Sequence, residues 1–423
     1  MPETVSTAPT PLTFRQVLRG DVIRRVWYAQ IVSLFGDFLA LFAVIAVVSF
    51  RMHGTPNQLT GVQIAYMLPL VILGPLAGVF VDRWPLKPTL IASDLLRALL
   101  ALLLIATTSI WQVYVVLALL SSVSSFFGPA QSVTIRTHVP NEGLISANAL
   151  MQIAFMGSRI VGPATAGAMV AAFGPASCYA VDVLSFLVSA SLIGSVVIRR
   201  PRAAAAPAES SGNRIHAIWA DMGQGMTFIL HHAAVLFVVL AMAAGLFTIG
   251  CFGPLIAIYV RDTLHAAARL FGFVSGMIGV GLLAGTLGIR ALARHVKNDT
   301  LVLSGLAGIG AGVLLLGAVP LIAATLAGAF VIGFAFAAII VPAQTLMQQE
   351  TPHAMLGRVS STVTSVVFLA QIGGLILSGI FAELIGIRAV FFLCAGIAGA
   401  LMTGGKMLLH ASAAPLSAAD APR

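Results

Sequence analysis

Charge is scarce in this sequence. Lys, Arg, Asp and Glu make up only 9% of its 423 residues, against roughly 25% in an ordinary soluble domain. With 59% hydrophobic residues and a mean hydropathy of +1.01, the chain has too little polar surface to fold in water. Cysteine is scarce as well. Cys178, Cys251 and Cys394 are the three present, in no CxxC or metal-ligand spacing, so no metal site is expected and each reads as a small buried apolar side chain. No P-loop, G-x-S-x-G elbow or metal-spaced His/Cys cluster occurs. The expectation is therefore no catalytic residue, no metal, no cofactor and no ATP drive within this chain. Residues 1–23 lack a short apolar stretch followed by a small-residue cleavage site, so no removed signal peptide is expected and the first span directs insertion.

What is present is a succession of apolar runs of about 20 residues, the length that crosses a bilayer as a helix. Twelve spans are expected, at 24–50, 60–81, 89–109, 112–136, 145–171, 175–198, 233–259, 270–293, 300–319, 321–347, 358–383 and 387–409. The short alternating segments of an outer-membrane barrel are missing. The formal charge of +9 invites a nucleic-acid reading, but the placement of the charges argues against it. With both ends cytoplasmic, all but five of the 23 Lys and Arg fall on the cytoplasmic side or at cytoplasmic helix ends. The five are Arg51, Arg261, Arg269 and Arg388 outside, and Arg159 within a span. This is the positive-inside asymmetry of a multi-span inner-membrane protein. Its expected partners are a small-molecule substrate, protons and the lipid bilayer, with no nucleic acid, and its working form is a monomer.

The chain also repeats itself. FFGPAQSVTIRTHVP (Phe126–Pro140) returns about 213 residues later as IIVPAQTLMQQETP (Ile339–Pro352). The longest break in hydrophobicity, 199–232, opens as the basic, Ala/Pro/Ser-rich RRPRAAAAPAESSGNR and continues as an amphipathic helix from Ile215 to His232. The expected organisation is a cytoplasmic tail at 1–23, a six-helix bundle at 24–198, the cytoplasmic linker at 199–232, a second six-helix bundle at 233–410 and a cytoplasmic tail at 411–423. A cytoplasmic linker between parallel six-helix halves suits a transporter whose halves rock about a central site.

Gly74–Pro88 reads GPLAGVFVDRWPLKP. Gly78 permits close helix contact, and Pro88 can open the third helix. Asp82 is a carboxylate at the cytoplasmic rim, where it could cap a helix entering near Gly357-Arg358 and latch that side shut; a solvated anchor loop is the plainer alternative. Gly78, Asp82, Arg83 and Lys87 match G-x-x-x-D-R-x-x-x-K, and on these residues the chain resembles the major facilitator superfamily. Two further family positions, glycine and arginine, are here Pro85 and Leu86. The resemblance implies an all-α membrane protein of twelve transmembrane helices in two pseudo-symmetric six-helix bundles. GSRIVGPATAG (Gly157–Gly167) resembles the Gly-Pro motif of superfamily antiporters, which is associated with export; Gly162, Pro163 and Gly167 would let that helix bend and pack closely. The strings LFGDFLALFA, SDLLRALLA and SANALMQ extend the likeness to an enterobactin-exporter-like and macrolide-efflux-like branch.

Charges inside a membrane are costly and are usually functional. Asp37 falls midway along the first span, Arg159 midway along the fifth and Asp182 early in the sixth. Asp37 is expected to be the proton or substrate-cation group with Arg159 as its partner; a static ion pair or a packing brace would look the same in sequence. Asp182 reads more simply as a local cap or hydrogen-bonding group. Asp94 and Arg97 share a helix face near the start of the third span. With Arg136 they are expected to extend the Asp82 latch, or to form a plain salt bridge at the rim. The functional expectation is a proton-coupled exporter of amphipathic small molecules of the drug or siderophore class, working by alternating access. A lysophospholipid or other lipid transporter of the same fold and a non-transporting membrane sensor are the rivals. Finally, at offsets of 212–213 Asp37 falls opposite Gly250, Arg159 opposite Gln371 and Asp182 opposite Cys394. The coupling chemistry should therefore reside in the first half.

Overall fold

The structure, a computed structural model, describes residues 12–81, 83–198, 222–293, 295–352 and 355–413. The outer tail residues 1–11 and 414–423, the first part of the linker at 199–221, and Asp82 lie outside the described residues. Among those described, every regular element is helical. The first six long helices are α1 (Asp21–Arg51, closing in a π-helical turn, Val47–Arg51), α2 (Pro56–Val81), α3 (Leu86–Ile105), α4 (Ile110–His138), α5 (Leu144–Phe173) and α6 (Pro175–Gly194). The second six are α7 (Ala233–Thr263, again closing in a π-helical turn, Tyr259–Thr263), α8 (Ala268–Leu292), α9 (Asn298–Ala318), α10 (Ile322–Glu350), α11 (Leu356–Ile385) and α12 (Ile387–Ala413). Eleven helices among the described residues are long and apolar enough to cross a membrane. The remaining one, α2, has 26 residues and no charged side chain; at 1.5 Å per residue it spans roughly 39 Å.

The described residues fall into two compact units. Residues 12–53 and 61–198 form one, and residues 54–60 with 222–413 form the other. In the first unit α1 lies against α5 and α6, and α3 against α4 and α6. In the second, α7 lies against α11 and α12, and α9 against α10 and α12. These four pairings correspond between the units, and so do the backbone irregularities. The two π-helical turns begin at Val47 and Tyr259, and positive φ occurs at His53 and His265 and at Gly174 and Gly386. Each pair is 212 residues apart. Gly174 (φ +80°) and Gly386 (φ +86°) end α5 and α11, where only glycine reverses the chain without a Cβ clash, and the next helix starts at once. At the offset of 212, Asp37 stands opposite Ile249 and not Gly250, one residue from the expected pairing; the position is apolar either way.

Which way the helices face follows the bilayer. On α3, Leu95, Leu99, Leu102 and Leu103 are exposed, whereas Asp94, Arg97, Ala98 and Ala101 are buried. Leucines outward and charges inward is the reverse of a soluble amphipathic helix, because the surrounding solvent is hydrocarbon. Residues 222–231 form the surface helix of the linker. It lies on the start of α11 through Arg358, which donates to Gln224 Oε1 at 2.7 Å.

Candidate functional site

Three helices of the first unit bring their charges together. Gly36 on α1 has no side chain to hold α6 away: a Cβ there would collide with Ser185 and Asp182. This close approach puts the next residue, Asp37, at the centre of the unit. From α3, Arg97 reaches Asp37, with Nη1 3.7 Å from Asp37 Oδ2. Its other terminal nitrogen, Nη2, donates to Asp94 Oδ1, one helical turn back on the same face. Ser189 on α6 donates to the second oxygen, Asp94 Oδ2, at 2.6 Å. The guanidinium lies over the rings of Phe127 of α4 and Phe186 of α6, whose centroids are 4.6 Å and 4.4 Å from its central carbon. Such ring contacts contribute about 0.5–2 kcal/mol each. Arg97 Nε is buried without a hydrogen-bond partner.

Asp182 completes the group. It is 1% exposed and accepts from Ser185 Oγ at 3.5 Å, while the same hydroxyl donates to the Asp182 carbonyl at 2.7 Å. It lies within electrostatic reach of Asp37 and Arg97, as does Tyr66 of α2. The core of the first unit therefore holds three carboxylates and one guanidinium. Burying each ion costs several kcal/mol. A single pair at 4 Å returns only about 4 kcal/mol at an effective dielectric of 20. One guanidinium cannot balance three ionised carboxylates, so the group is short of positive charge.

Several expected placements change. Asp37 faces Arg97, not Arg159. Arg159 on α5 is half-buried and makes no ion pair among the described residues; α5 meets α1 through apolar contacts, with Gly162 against Phe38 and Phe155 edge-on to Phe38 at 5.7 Å. Asp94 and Arg97 are not rim residues. They are 0% and 4% exposed, because the inward face of α3 is continuous from its first turn, at Leu86 and Thr89. Arg136 is exposed at the end of α4 and joins neither. Gly78 has open space where a Cβ would stand, with no neighbour within 4 Å among the described residues. Asp82 lies outside the described residues. Arg83 is exposed, and Lys87 Nζ donates to the Gly194 carbonyl at 2.7 Å, capping the C-terminal end of α6. Gly162, Pro163 and Gly167 are buried within α5, and it is Gly162 that lets Phe38, the neighbour of Asp37, lie on that helix.

Tyr66, Ser185, Phe186 and Ser189 are not among the residues that the sequence singles out. The sequence carries a signal for two of them: Asp182, Ser185 and Ser189 are spaced i, i+3, i+7 and form one polar stripe along α6.

In the second unit the same positions are apolar and tightly packed. Leu306 and Ile309 of α9, 212 residues after Asp94 and Arg97, are 0% and 1% exposed. Gly250 lies on the Gln371 carbonyl and Gly374 on the Phe247 carbonyl, so α7 and α11 touch backbone to backbone. Cys251 Sγ donates to the Gly374 carbonyl at 3.2 Å and sits beside Cys394, which occupies the position of Asp182. Among the described residues no group of three or more His, Cys, Asp or Glu could hold a metal ion.

Comparison with known proteins agrees with this architecture. The model of the Major Facilitator Superfamily matches residues 26–374 and 238–421. Macrolide efflux protein A of Streptococcus pyogenes is 27% identical, over 87% of this chain and 91% of that protein. Multidrug efflux pump Tap of Mycolicibacterium fortuitum is 26% identical, over 80% of this chain and 84% of that protein. Among solved structures, the nucleoside transporter NupG superposes with a TM-score of 0.69 at 13% identity, covering 92% of this chain and 99% of that one. The last likeness is one of fold.

Proposed function

From the premise that the chain belongs to the Major Facilitator Superfamily, and is therefore a multi-pass membrane transporter and not an enzyme, we propose that it exports amphipathic small molecules of the drug or siderophore class from a bacterial cytoplasm by proton antiport. Relatives named for macrolide and multidrug efflux support the direction and the broad cargo class. The observation that carries the coupling is the buried group in the first unit, with its single guanidinium for three carboxylates. A proton on Asp37, or a cationic cargo beside it, reduces the excess of negative charge that Arg97 alone leaves. Asp37 is the exchangeable member: its side chain is 22% exposed, whereas Asp94 is 0% exposed and tied to two partners. Proton loading at Asp37 on one side of the membrane and release on the other would drive alternating access, with Asp182 as the second carboxylate that senses the first. Both termini lie in the cytoplasm in this reading, the bilayer is the inner membrane, and one chain is the working unit.

The test is Asp37→Asn in everted vesicles with an imposed pH gradient and a radiolabelled macrolide. Gradient-driven uptake should fall at least about tenfold, equivalent to about 1.4 kcal/mol, at unchanged expression. Uptake that persists in the variant removes Asp37 from the mechanism.

A further inference from the structure

We infer that Asp94, held by Ser189, is a positioning carboxylate that parks Arg97 beside Asp37 and thereby sets the pH at which Asp37 exchanges its proton, without carrying a proton itself. The inference rests on the proton-coupled reading above.

The geometry separates the two carboxylates. Both oxygens of Asp94 are engaged, Oδ1 by Arg97 Nη2 and Oδ2 by Ser189 at 2.6 Å. Asp37 is only approached: the 3.7 Å from Arg97 Nη1 is an ion pair beyond hydrogen-bonding distance. Arg97 thus has one nitrogen anchored, one near Asp37 and one, Nε, with no hydrogen-bond partner in a buried site. A planar donor with spare capacity can tilt toward Asp37 while keeping its anchor. The rings of Phe127 and Phe186 lie against the same guanidinium. When Asp37 is ionised the guanidinium is shared, and when Asp37 is protonated it withdraws onto Asp94.

Other charged or titratable groups facing Asp37 are Asp182 and Tyr66, contributed by α6 and α2. The contacts given for α4 and α5 at this point are the Phe127 ring on Arg97, and Gly162 with Phe155 on Phe38. Against that background Asp94 acts on Asp37 in two ways of the same sign. Its charge repels an ionised Asp37, and it keeps Arg97 from turning fully to Asp37. Neutralising Asp94 therefore favours the ionised form of Asp37, and removing the Arg97 charge disfavours it.

The test needs no cargo. Infrared difference spectra of the purified full chain, recorded as a function of pH, show protonated carboxyl groups directly, and Asp37→Asn identifies the Asp37 band. In Asp94→Asn that band should titrate lower by about one pH unit or more, and in Arg97→Gln higher by a similar amount. The double variant Asp94→Asn/Arg97→Gln removes both charges together, so it avoids an unpaired buried ion and should titrate between the two single variants. An Asp37 midpoint unchanged in Asp94→Asn and in the double variant overturns the inference, because a merely structural Asp94 lowers thermal stability without moving the band. Loss of a separate titrating band in Asp94→Asn also overturns it, since Asp94 would then carry a proton. If Asp37→Asn deletes no titrating band at all, the proton-coupled reading fails first, and the two failures are told apart.

Discussion

The two units are built on one backbone plan and filled with different chemistry. Their π-helical turns, their positive-φ histidines and their glycine reversals recur 212 residues apart, and four of their helix pairings correspond. Yet where the first unit buries Asp94 and Arg97, the second buries Leu306 and Ile309. Where Gly36 admits Asp182 and Ser185, the second unit has the thiols of Cys251 and Cys394 and direct backbone contact at Gly250 and Gly374. The difference teaches that the fold requires small residues, glycines and helix reversals at fixed places, and does not require charge. A buried ion group that only one unit keeps, at a cost of several kcal/mol per ion, is kept for something other than folding.

The sharpest way to break this comparison is at Arg97. Arg97→Gln leaves Asp94 buried without its cation and should cost about 3–5 kcal/mol of stability, together with gradient-driven transport. Arg159→Gln should change both little. Thermal unfolding in detergent and vesicle transport read the two variants side by side, and equal effects would mean that the Asp37–Arg97 pair is not the functional one. Next in size is the backbone contact of the second unit. Gly374→Leu must push α11 off the Phe247 carbonyl and should cost about 1–3 kcal/mol, whereas Gly157→Leu in the first unit, with open space around it, should be nearly neutral. Equal losses of melting temperature would contradict the view that the second unit is the one packed by direct backbone contact. Asp182→Asn should be milder, since Ser185 can still donate to the amide oxygen; a fall in coupled transport of less than about tenfold is expected. Loss as complete as in Asp37→Asn would make Asp182 an equal partner. Smallest is Lys87→Ala, which removes one cap from α6 and should cost about 0.3–1 kcal/mol, with no change in the pH profile of transport. A changed profile would place Lys87 in the mechanism.

Much of the fold was legible in the sequence because bilayer thickness turns apolar length directly into helices. All twelve expected spans coincide with long helices. The site was legible in part. Asp37 and Asp182 stand out because a carboxylate in an apolar run has no cheap explanation. Arg97 was assigned to the rim because Asp94 and Arg97 fall near the start of a span, where charges are ordinarily solvated. Arg159 was paired with Asp37 because both sit at mid-depth, a one-dimensional argument that says nothing about which face of a helix meets which neighbour. Ser189 and Phe186 do not stand out in the sequence because serine and phenylalanine are common in any span.

By itself, then, the sequence determined that the chain crosses a membrane as helices, that it is two related halves, and that the first half alone carries charge at depth. Those properties depend on composition and spacing, which are read along the chain. Only the tertiary structure decided that Arg97 and not Arg159 faces Asp37, that Asp94 is the anchored carboxylate, and that the matching place in the second unit is closed by leucine, isoleucine and backbone. Those properties depend on helix rotation and on close approach at Gly36 and Gly374. Packing of side chains distant in sequence sets both.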